Sequence, residues 1–326
     1  MSGLYQLGLM MLCLMVISCA PAEDHTPEQS CNGSVEYCQR PYNQLAQICS
    51  HNAMSNTADG FFLPRPNQAY TIVQQLDDGV RCLMLDTFEF EGELRACHEV
   101  CALGSRPLVQ VFAEIGSWLE AHPDEVVTLI LEAYISQEQT LTALQGAGLG
   151  PGEDDDAMLY SHNGPPGTPW PTLGAIIASG RRLVMLSDEG GADGGWYLDW
   201  KAYGWETRFN EVDLSCESGR GTPGAHANEL FLLNHYRLCE LGGCEENSLV
   251  NNSYDFFLSR AMGCWAQDEI KNPYGQIPTF LVVDHYHLPK PGGHSPRPDP
   301  FDVVDALNAA WPGPPSPSSS TERAPE

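Results

Sequence analysis

Three short segments carry most of the information about the fold: Ile48-Cys49-Ser50-His51-Asn52, Gly79-Val80-Arg81-Cys82-Leu83-Met84-Leu85-Asp86, and Leu94-Arg95-Ala96-Cys97-His98. Each is a short apolar run that ends on a polar residue capable of chemistry. Strands of a parallel sheet covered by helices are apolar on both faces, and their carboxyl ends meet at one opening, where such folds place their sites. Two imidazoles and a carboxylate at that opening suit acid–base chemistry on a phosphate ester.

Apolar strand patterns alternate with helical patterns through the rest of the chain. Strands are predicted at residues 45–49, 80–85, 94–97, 125–132, 182–187, 230–234 and 279–283. Helices are predicted at residues 67–76, 107–122, 137–149, 172–179, 254–265 and 301–311. This order predicts an α/β fold, a single distorted TIM-like (β/α) barrel, with an eighth strand expected inside the irregular region 189–229.

The overall charge restricts the partners of this 326-residue chain. It carries 16 basic and 43 acidic residues, a formal net charge of −27. Nucleic acid normally selects a basic surface, so we expect no nucleic-acid partner. Contact with an anionic membrane would need an anchor, an apolar rim or bridging cations. We expect the chain to be a monomer.

The N-terminal region has the features of an export signal. Residues 4–17 are apolar but too few to span a bilayer. Val16-Ile17-Ser18-Cys19 resembles the bacterial lipobox, in which the cysteine is lipidated, although no Lys or Arg precedes the apolar run. We therefore expect a lipoprotein signal peptide (1–18), a tether (19–30), one barrel domain (31–312) and a disordered Pro/Ser tail (313–326). The chain would then be membrane-anchored through Cys19 in the cell envelope, with plain secretion as the alternative.

Twelve cysteines in a non-repetitive chain are typical of an oxidising compartment. Without Cys13 in the signal and Cys19 at the lipid site, ten remain. Closeness in sequence predicts three disulfides: Cys31–Cys38, Cys97–Cys101 and Cys239–Cys244. The partners of Cys49, Cys82, Cys216 and Cys264 stay open, because connectivity cannot be read from spacing.

The polar residues at the predicted strand ends resemble the motifs of the phosphatidylinositol-specific phospholipase C X-domain family. The matching elements are Cys49-Ser50-His51-Asn52-Ala53, Gly79-Val80-Arg81 with Leu85-Asp86, and Cys97-His98. The resemblance covers roughly residues 31–311 and is most specific in the first half. It implies a TIM-like barrel that cleaves inositol phospholipids with a hydroxyl of the inositol as the first nucleophile.

The resemblance also implies roles for individual residues. His51 would accept the proton of the attacking hydroxyl, and His98 would protonate the departing diacylglycerol oxygen. Asp284 is placed like the carboxylate that orients the first histidine. Asp188, His235 and Tyr286 are candidate substrate-binding residues at later strand ends.

Asn52, Asp86 and Glu132 match the calcium-binding members of the family, and their oxygen atoms suit a hard cation. We therefore expect a divalent cation, Ca²⁺ above others. Two positions depart from the family pattern. Met84 stands where calcium-dependent members carry a further carboxylate, so that either water, Glu89 or Glu91 fills the position, or the site binds metal weakly. Glu99 follows the second histidine, where the family usually has glycine.

The sequence thus predicts a phosphodiesterase (hydrolase or lyase) of phospholipase C type that acts on a phosphoinositide. One alternative is the same fold acting on another phosphodiester, such as a glycerophosphodiester or a sphingolipid. The other is a catalytically decayed surface lipoprotein that binds a sugar or phospholipid head group. Arg81 points away from the opening and is expected to form a structural ion pair.

Overall fold

The computed structural model describes residues 29–151, 158–209, 214–237, 239, 242–289 and 296–313. The predicted signal peptide, the lipidation site at Cys19, most of the tether and nearly all of the C-terminal tail lie outside these ranges. No helix in the described ranges is long and apolar enough to cross a membrane.

Eleven strands belong to one sheet, and they are, in chain order, β1 (Gln47–Ser50), β2 (Cys82–Phe90), β3 (Glu93–Cys97), β4 (Ser105–Pro107), β5 (Val127–Ala133), β6 (Leu183–Ser187), β7 (Leu198–Asp199), β8 (Gly204–Thr207), β9 (Ser218–Arg220), β10 (Leu230–Asn234) and β11 (Phe280–Val283). The α-helices are α1 (Ile72–Asp77), α2 (Leu108–Ala121), α3 (Gln137–Gly146), α4 (Leu173–Ala178), α5 (Trp200–Tyr203), α6 (Glu245–Asn251), α7 (Tyr254–Trp265) and α8 (Asp299–Ala309).

Eight of the strands run parallel, in the order β7-β6-β5-β2-β1-β11-β10-β8. This curled sheet confirms the distorted TIM-like barrel. The barrel has an open seam, because no strand pairing in the described residues joins β7 to β8. Instead, the antiparallel β9 lies on the free edge of β8. Both β7 and β8 fall inside the irregular region 189–229, where the sequence predicted the missing strand.

The prediction of a parallel strand at residues 94–97 is wrong. This segment is β3, which pairs antiparallel with an extension of β2 beyond Asp86. In that hairpin Thr87 lies opposite Ala96, so the chain returns toward the barrel and His98 reaches the same opening as Asp86. An alternating apolar pattern reports the faces of a strand but not its direction, which explains the error.

The predicted helix at residues 67–76 begins later than expected, at Ile72. The Thr71 hydroxyl accepts a hydrogen bond from the backbone N–H of Gln74 and caps the first turn. The backbone N–H groups of Asn67 and Gln68 instead donate to Ser55 O, which holds this segment against the loop after β1.

Alternate residues of the strands divide between two cores. Leu129, Leu131 and Leu233 pack with the helices around the barrel, whereas Ile130 and Leu232 belong to the core inside it. This division follows from the two-residue period of a strand.

The three disulfides predicted from sequence closeness are present. The other four cysteines form Cys49–Cys82, between register partners on β1 and β2, and Cys216–Cys264. Five disulfides in one chain are characteristic of exported proteins.

Arg81 makes the structural ion pair that the sequence predicted. Its Nε donates to Glu125 Oε2 at 2.7 Å, and one terminal nitrogen donates to the carbonyls of Leu76 and Val80. The guanidinium lies 4.8 Å from the ring centre of Trp118 on α2. These contacts tie α1, α2 and the start of β5 together.

We expect Arg81→Met to lower the free energy of unfolding by about 3 kcal/mol, because it leaves the largely buried Glu125 carboxylate without its cation. The matched control is Arg65→Met, which removes an exposed ion pair with Glu246 and should leave the free energy of unfolding nearly unchanged. Urea unfolding with the disulfides intact measures both. Equal stability of the two variants would contradict the structural role of Arg81.

Candidate active site

A cleft of about 200 Å³ opens at the carboxyl ends of the parallel strands. Its wall contains both histidines of the sequence motif, several carboxylates, aromatic rings and one arginine. The lining residues are His51, Asn52, Met84, Asp86, Phe88, His98, Glu99, Glu132, Tyr134, Phe209, Arg220 and Tyr236.

His51 is held from several sides at the end of β1. Its backbone N–H donates to Val283 O, and its Nδ1 lies 2.8 Å from Oδ1 of Asp284 at the end of β11. The imidazole stacks on the ring of Tyr236, with centroids 3.8 Å apart and planes 16° from parallel. A ring with a fixed orientation and a carboxylate on one nitrogen presents its other nitrogen for proton transfer.

Asn67 and Gln68 complete this support and were missed by sequence reasoning. The fully buried Asn67 donates from Nδ2 to Asp284 Oδ1 at 3.0 Å. Gln68 donates from Nε2 to the backbone carbonyls of His51 and Val283, at 2.9 and 3.0 Å. Both lie in the segment 67–76 that the sequence predicted as one helix, ahead of the actual helix start at Ile72, and a helical pattern gives no sign of a contact with His51.

His98 also lines the cleft and is only 7% exposed. Its pKa is lowered from the usual value, first because burial disfavours the charged ring and second because His51 is close by. The carboxylate of Glu99 acts in the opposite direction and raises the pKa of His98. His51 is therefore close enough to His98 to influence the pKa of His98 electrostatically.

Asp86, Glu132 and Asp188 form an acidic group on neighbouring strands. Asp86 and Glu132 are register partners on β2 and β5, and Asp188 follows β6. Asp86 is 8% exposed, and its pKa is raised well above the usual range by burial and then by the charges of Glu132, Glu99 and Asp188. A cation bound among these carboxylates would relieve their mutual repulsion.

The available donors fit a hard cation, although they are not a preassembled cage. Asp86, Glu132 and the Asn52 amide all line the cleft and offer oxygen. In the described part of the chain, three His, Cys, Asp or Glu ligand atoms lie within 4.8 Å of one another only at Cys239, Cys244 and Glu246, where both sulfurs are in a disulfide. A cation in the cleft would therefore take waters or substrate oxygens as further ligands.

Arg220 brings a fixed positive charge to the cleft and was also missed by sequence reasoning. Its Nε donates to the buried carboxylate of Glu206. Its guanidinium lies 5.0 Å from the ring centre of Trp200 and 5.1 Å from that of Phe209. Arg220 lies on the three-residue strand β9, Ser218–Arg220, which has no apolar pattern from which a strand could be predicted.

Three candidate substrate-binding residues lie outside the set that lines the cleft. His235 is fully buried; its Nε2 donates to Asn251 O and its Nδ1 accepts from Arg260. Tyr286 is also buried and donates its hydroxyl to Asp78 Oδ2. Asp188 is engaged through Oδ1 with the Ala133 N–H, in a small space adjoining the cleft. The structure therefore does not bring His235 and Tyr286 to the opening, and it is Tyr236 that lines it.

Comparison with known proteins agrees with this geometry. The PI-PLC X family model matches residues 37–290. A PI-PLC X domain-containing protein of the fungus Arthroderma benhamiae is 30% identical over 249 residues, which cover 70% of this chain and 74% of the relative. An uncharacterized secreted protein of the same fungus is 28% identical, over 87% of this chain and 65% of the relative. A PI-PLC X domain-containing protein of Arabidopsis thaliana is 26% identical, over 82% of this chain and 62% of the relative.

Two solved structures share the fold. Phosphatidylinositol-specific phospholipase C from Listeria monocytogenes superposes with a TM-score of 0.51 at 13% identity, over 83% of this chain and 94% of that chain. A variant of the Staphylococcus aureus phosphatidylinositol-specific phospholipase C gives 0.50 at 14% identity, over 82% and 94%. The chain belongs to the PI-PLC X domain family. Its curated relatives are fungal and plant proteins, which do not support the prediction of a bacterial lipoprotein-type member.

We expect the pKa of His98, followed by NMR of its Cε1 proton, to lie below that of a solvated imidazole, so that the ring loses its proton at lower pH. His51→Ala removes the neighbouring imidazole whose electrostatic effect lowers the pKa of His98, so the pKa of His98 should rise. Glu99→Gln removes a carboxylate that stabilises the imidazolium and should lower it.

The control is Glu120→Gln, an exposed position on α2, which should leave the His98 titration unchanged. Identical titration curves for wild type and His51→Ala would show that the two rings do not share one cleft.

Proposed function

We propose that the protein is a phosphodiesterase of phospholipase C type that cleaves a phosphoinositide by acid–base catalysis between His51 and His98. The observation that carries the proposal is that both imidazoles line one cleft although 47 positions of sequence separate them. Among the described residues, His51 has a carboxylate partner, Asp284, and His98 has none, so the two rings have different environments. Phosphodiester cleavage requires one group that accepts a proton from the nucleophile and another that donates a proton to the leaving group.

The proposed reaction uses a hydroxyl of the substrate's own head group as nucleophile. His51 takes the hydroxyl proton while the oxygen forms a new bond to phosphorus. The bond from phosphorus to the diacylglycerol oxygen breaks, and His98 gives that oxygen its proton. The products are a cyclic phosphodiester and an alcohol. His98 must be protonated for its step, so the rate should fall as the pH rises through its lowered pKa.

The phosphate that approaches this acidic cleft needs positive charge beside it. We propose that Asn52, Asp86 and Glu132 hold a divalent cation, Ca²⁺ above others. When bound, such an ion would neutralise the charge that develops on the phosphate oxygens. Arg220 supplies a second, fixed positive charge, and guanidinium groups bind phosphate oxygens through paired N–H donors.

Export of the chain agrees with its five disulfides, and one of its relatives is described as secreted. We further propose, from Val16-Ile17-Ser18-Cys19, that a lipid on Cys19 holds the enzyme at a membrane. Such an anchor would bring a chain with a net charge of −27 to a lipid substrate without electrostatic attraction.

We expect His51→Ala and His98→Ala each to lower kcat on phosphatidylinositol at least about 10²-fold while the protein stays folded, because each removes one proton transfer. Release of cyclic inositol phosphate measures the reaction, and circular dichroism checks the fold. The control is His122→Ala. The His122 ring stacks on that of Trp118 on α2 and does not line the cleft.

Turnover by the double variant His51→Ala/His98→Ala would contradict the mechanism. A panel with glycerophosphodiester and sphingolipid substrates tests the alternative substrate classes. Head-group binding by the wild type without turnover of any ester would favour the decayed binding protein.

Removal of divalent cations with EDTA should abolish turnover, and added Ca²⁺ should restore it. We expect Asp86→Asn to need at least about tenfold more Ca²⁺ for half-maximal activity, because it removes one charged oxygen ligand. The control is Glu93→Gln, at an exposed position of β3. Full activity of the wild type in EDTA would refute the cation and leave Arg220 as the positive group at the phosphate.

A further inference from the structure

His98 is enclosed in a small covalent ring. The disulfide between Cys97 and Cys101 closes a loop in which His98, Glu99 and Val100 are the only residues between the two cysteines. Cys97 is the last residue of β3, fully buried, and lies opposite Ser105 of β4. Cys101 is 8% exposed and begins a short 3-10 helix, Cys101–Leu103. Both ends of the ring are thus attached to the framework of the β3–β4 hairpin.

The hairpin itself is seated firmly against the loop that follows β1. Gly104 comes directly after the 3-10 helix, and a Cβ atom added there would lie only 2.8 Å from the ring of Phe61. Phe61 is buried, at 6% exposed. Because both of its ends are held in this way, the loop closed by the Cys97–Cys101 disulfide has little freedom to move as a rigid unit.

The side chain of His98 has fewer restraints of its own than that of His51. His51 has the Asp284 carboxylate and the face of Tyr236. By contrast, His98 Nδ1 is buried and has no hydrogen-bond partner among the described residues. The orientation of His98 therefore depends on its backbone more than on contacts to its ring.

That backbone has an uncommon conformation. Glu99 has φ of +57°, in the left-handed region that favours glycine, and the Val100 N–H donates back to His98 O at 2.7 Å. A non-glycine residue keeps such a conformation when the surrounding structure imposes it. The bond between Cys97 and Cys101 is the constraint closest to it.

We propose that the Cys97–Cys101 disulfide is a positioning element that aims His98 at the leaving-group oxygen. This inference rests on the proposed function, in which His98 gives its proton to that oxygen as the bond to phosphorus breaks. Opening the ring leaves the imidazole in place but lets it sample orientations from which the proton cannot reach the alcohol. Substrate binding, which involves other residues of the cleft, should change little.

The test compares Cys97→Ala/Cys101→Ala with Cys31→Ala/Cys38→Ala in the full chain. The control removes another short-range disulfide, whose cysteines are 7 positions apart, compared with 4 for Cys97 and Cys101. It lies at the opposite end of the barrel, where the Asn32 side chain donates a hydrogen bond to Val126 O beside the start of β5. Two substrates are used, phosphatidylinositol and the 4-nitrophenyl ester of inositol 1-phosphate. The nitrophenolate leaves without a proton, so it does not need a general acid.

With the Cys97–Cys101 bond removed, we expect kcat on phosphatidylinositol to fall about 10- to 100-fold with little change in KM, a part of the 10²–10⁴-fold typical of a general acid. The nitrophenyl ester should lose less than about threefold, and His98→Ala should show the same dependence on the leaving group. The Cys31–Cys38 control should keep both activities. Equal losses on the two esters, or no loss on either, would overturn the positioning role.

A second measurement does not depend on turnover. In protein labelled with ¹³C at histidine Cε1, relaxation of the His98 signal reports how freely the ring moves. The ring should be rigid in wild type and in the Cys31–Cys38 control, and mobile when Cys97 and Cys101 are alanine. An equally rigid ring in all three proteins refutes the inference. Mobility as expected, with neither ester cleaved by wild type, refutes the proposed function instead.

Discussion

The parallel pairing of β1 with both β2 and β11 is the constraint on which the site depends. Ser50 is the register partner of Leu83 on one side and of Val283 on the other. The next residue in β1's direction is His51, so it emerges beside Asp284, 233 positions later in the chain, and close to Asp86. Four buried residues of one short strand therefore determine where the catalytic candidates meet.

The sequence predicted the parts of the barrel that have continuous apolar runs. Six of the seven predicted strands are barrel strands, because strands covered on both faces must be apolar throughout. The two remaining strands, β7 and β8, have two and four residues and contain Gly204 or charged residues, so they leave no such run. The direction of a strand also could not be predicted from the sequence. β3 has the composition of a strand, but its pairing with β2 makes it antiparallel.

The candidate site divides in the same way. His51, Asp86, His98 and Glu132 follow or end apolar runs and match family motifs, and the structure gathers all four around one cleft. The supporting residues come from loops and short strands, where side-chain roles depend on tertiary contacts. At the end of β10 the sequence drew attention to His235, yet its neighbour Tyr236 faces the cleft. Successive residues of an extended chain point to opposite sides, and a strand buried on both sides gives no sign of which one faces the opening.

The charge balance of the cleft connects the methionine at position 84 with the role proposed for Arg220. Both line the cleft and the small space beside it, together with Glu132. A carboxylate at position 84 would add to the charges of Glu132 and Asp188, which already raise the pKa of Asp86. It would also compete with the phosphate of the proposed substrate for the remaining N–H groups of Arg220, whose Nε donates to Glu206. With methionine there, the cleft has one carboxylate fewer for the proposed cation and leaves Arg220 available to an anion. In the proposed reaction, the positive charge beside the phosphate would then come from both the cation and Arg220.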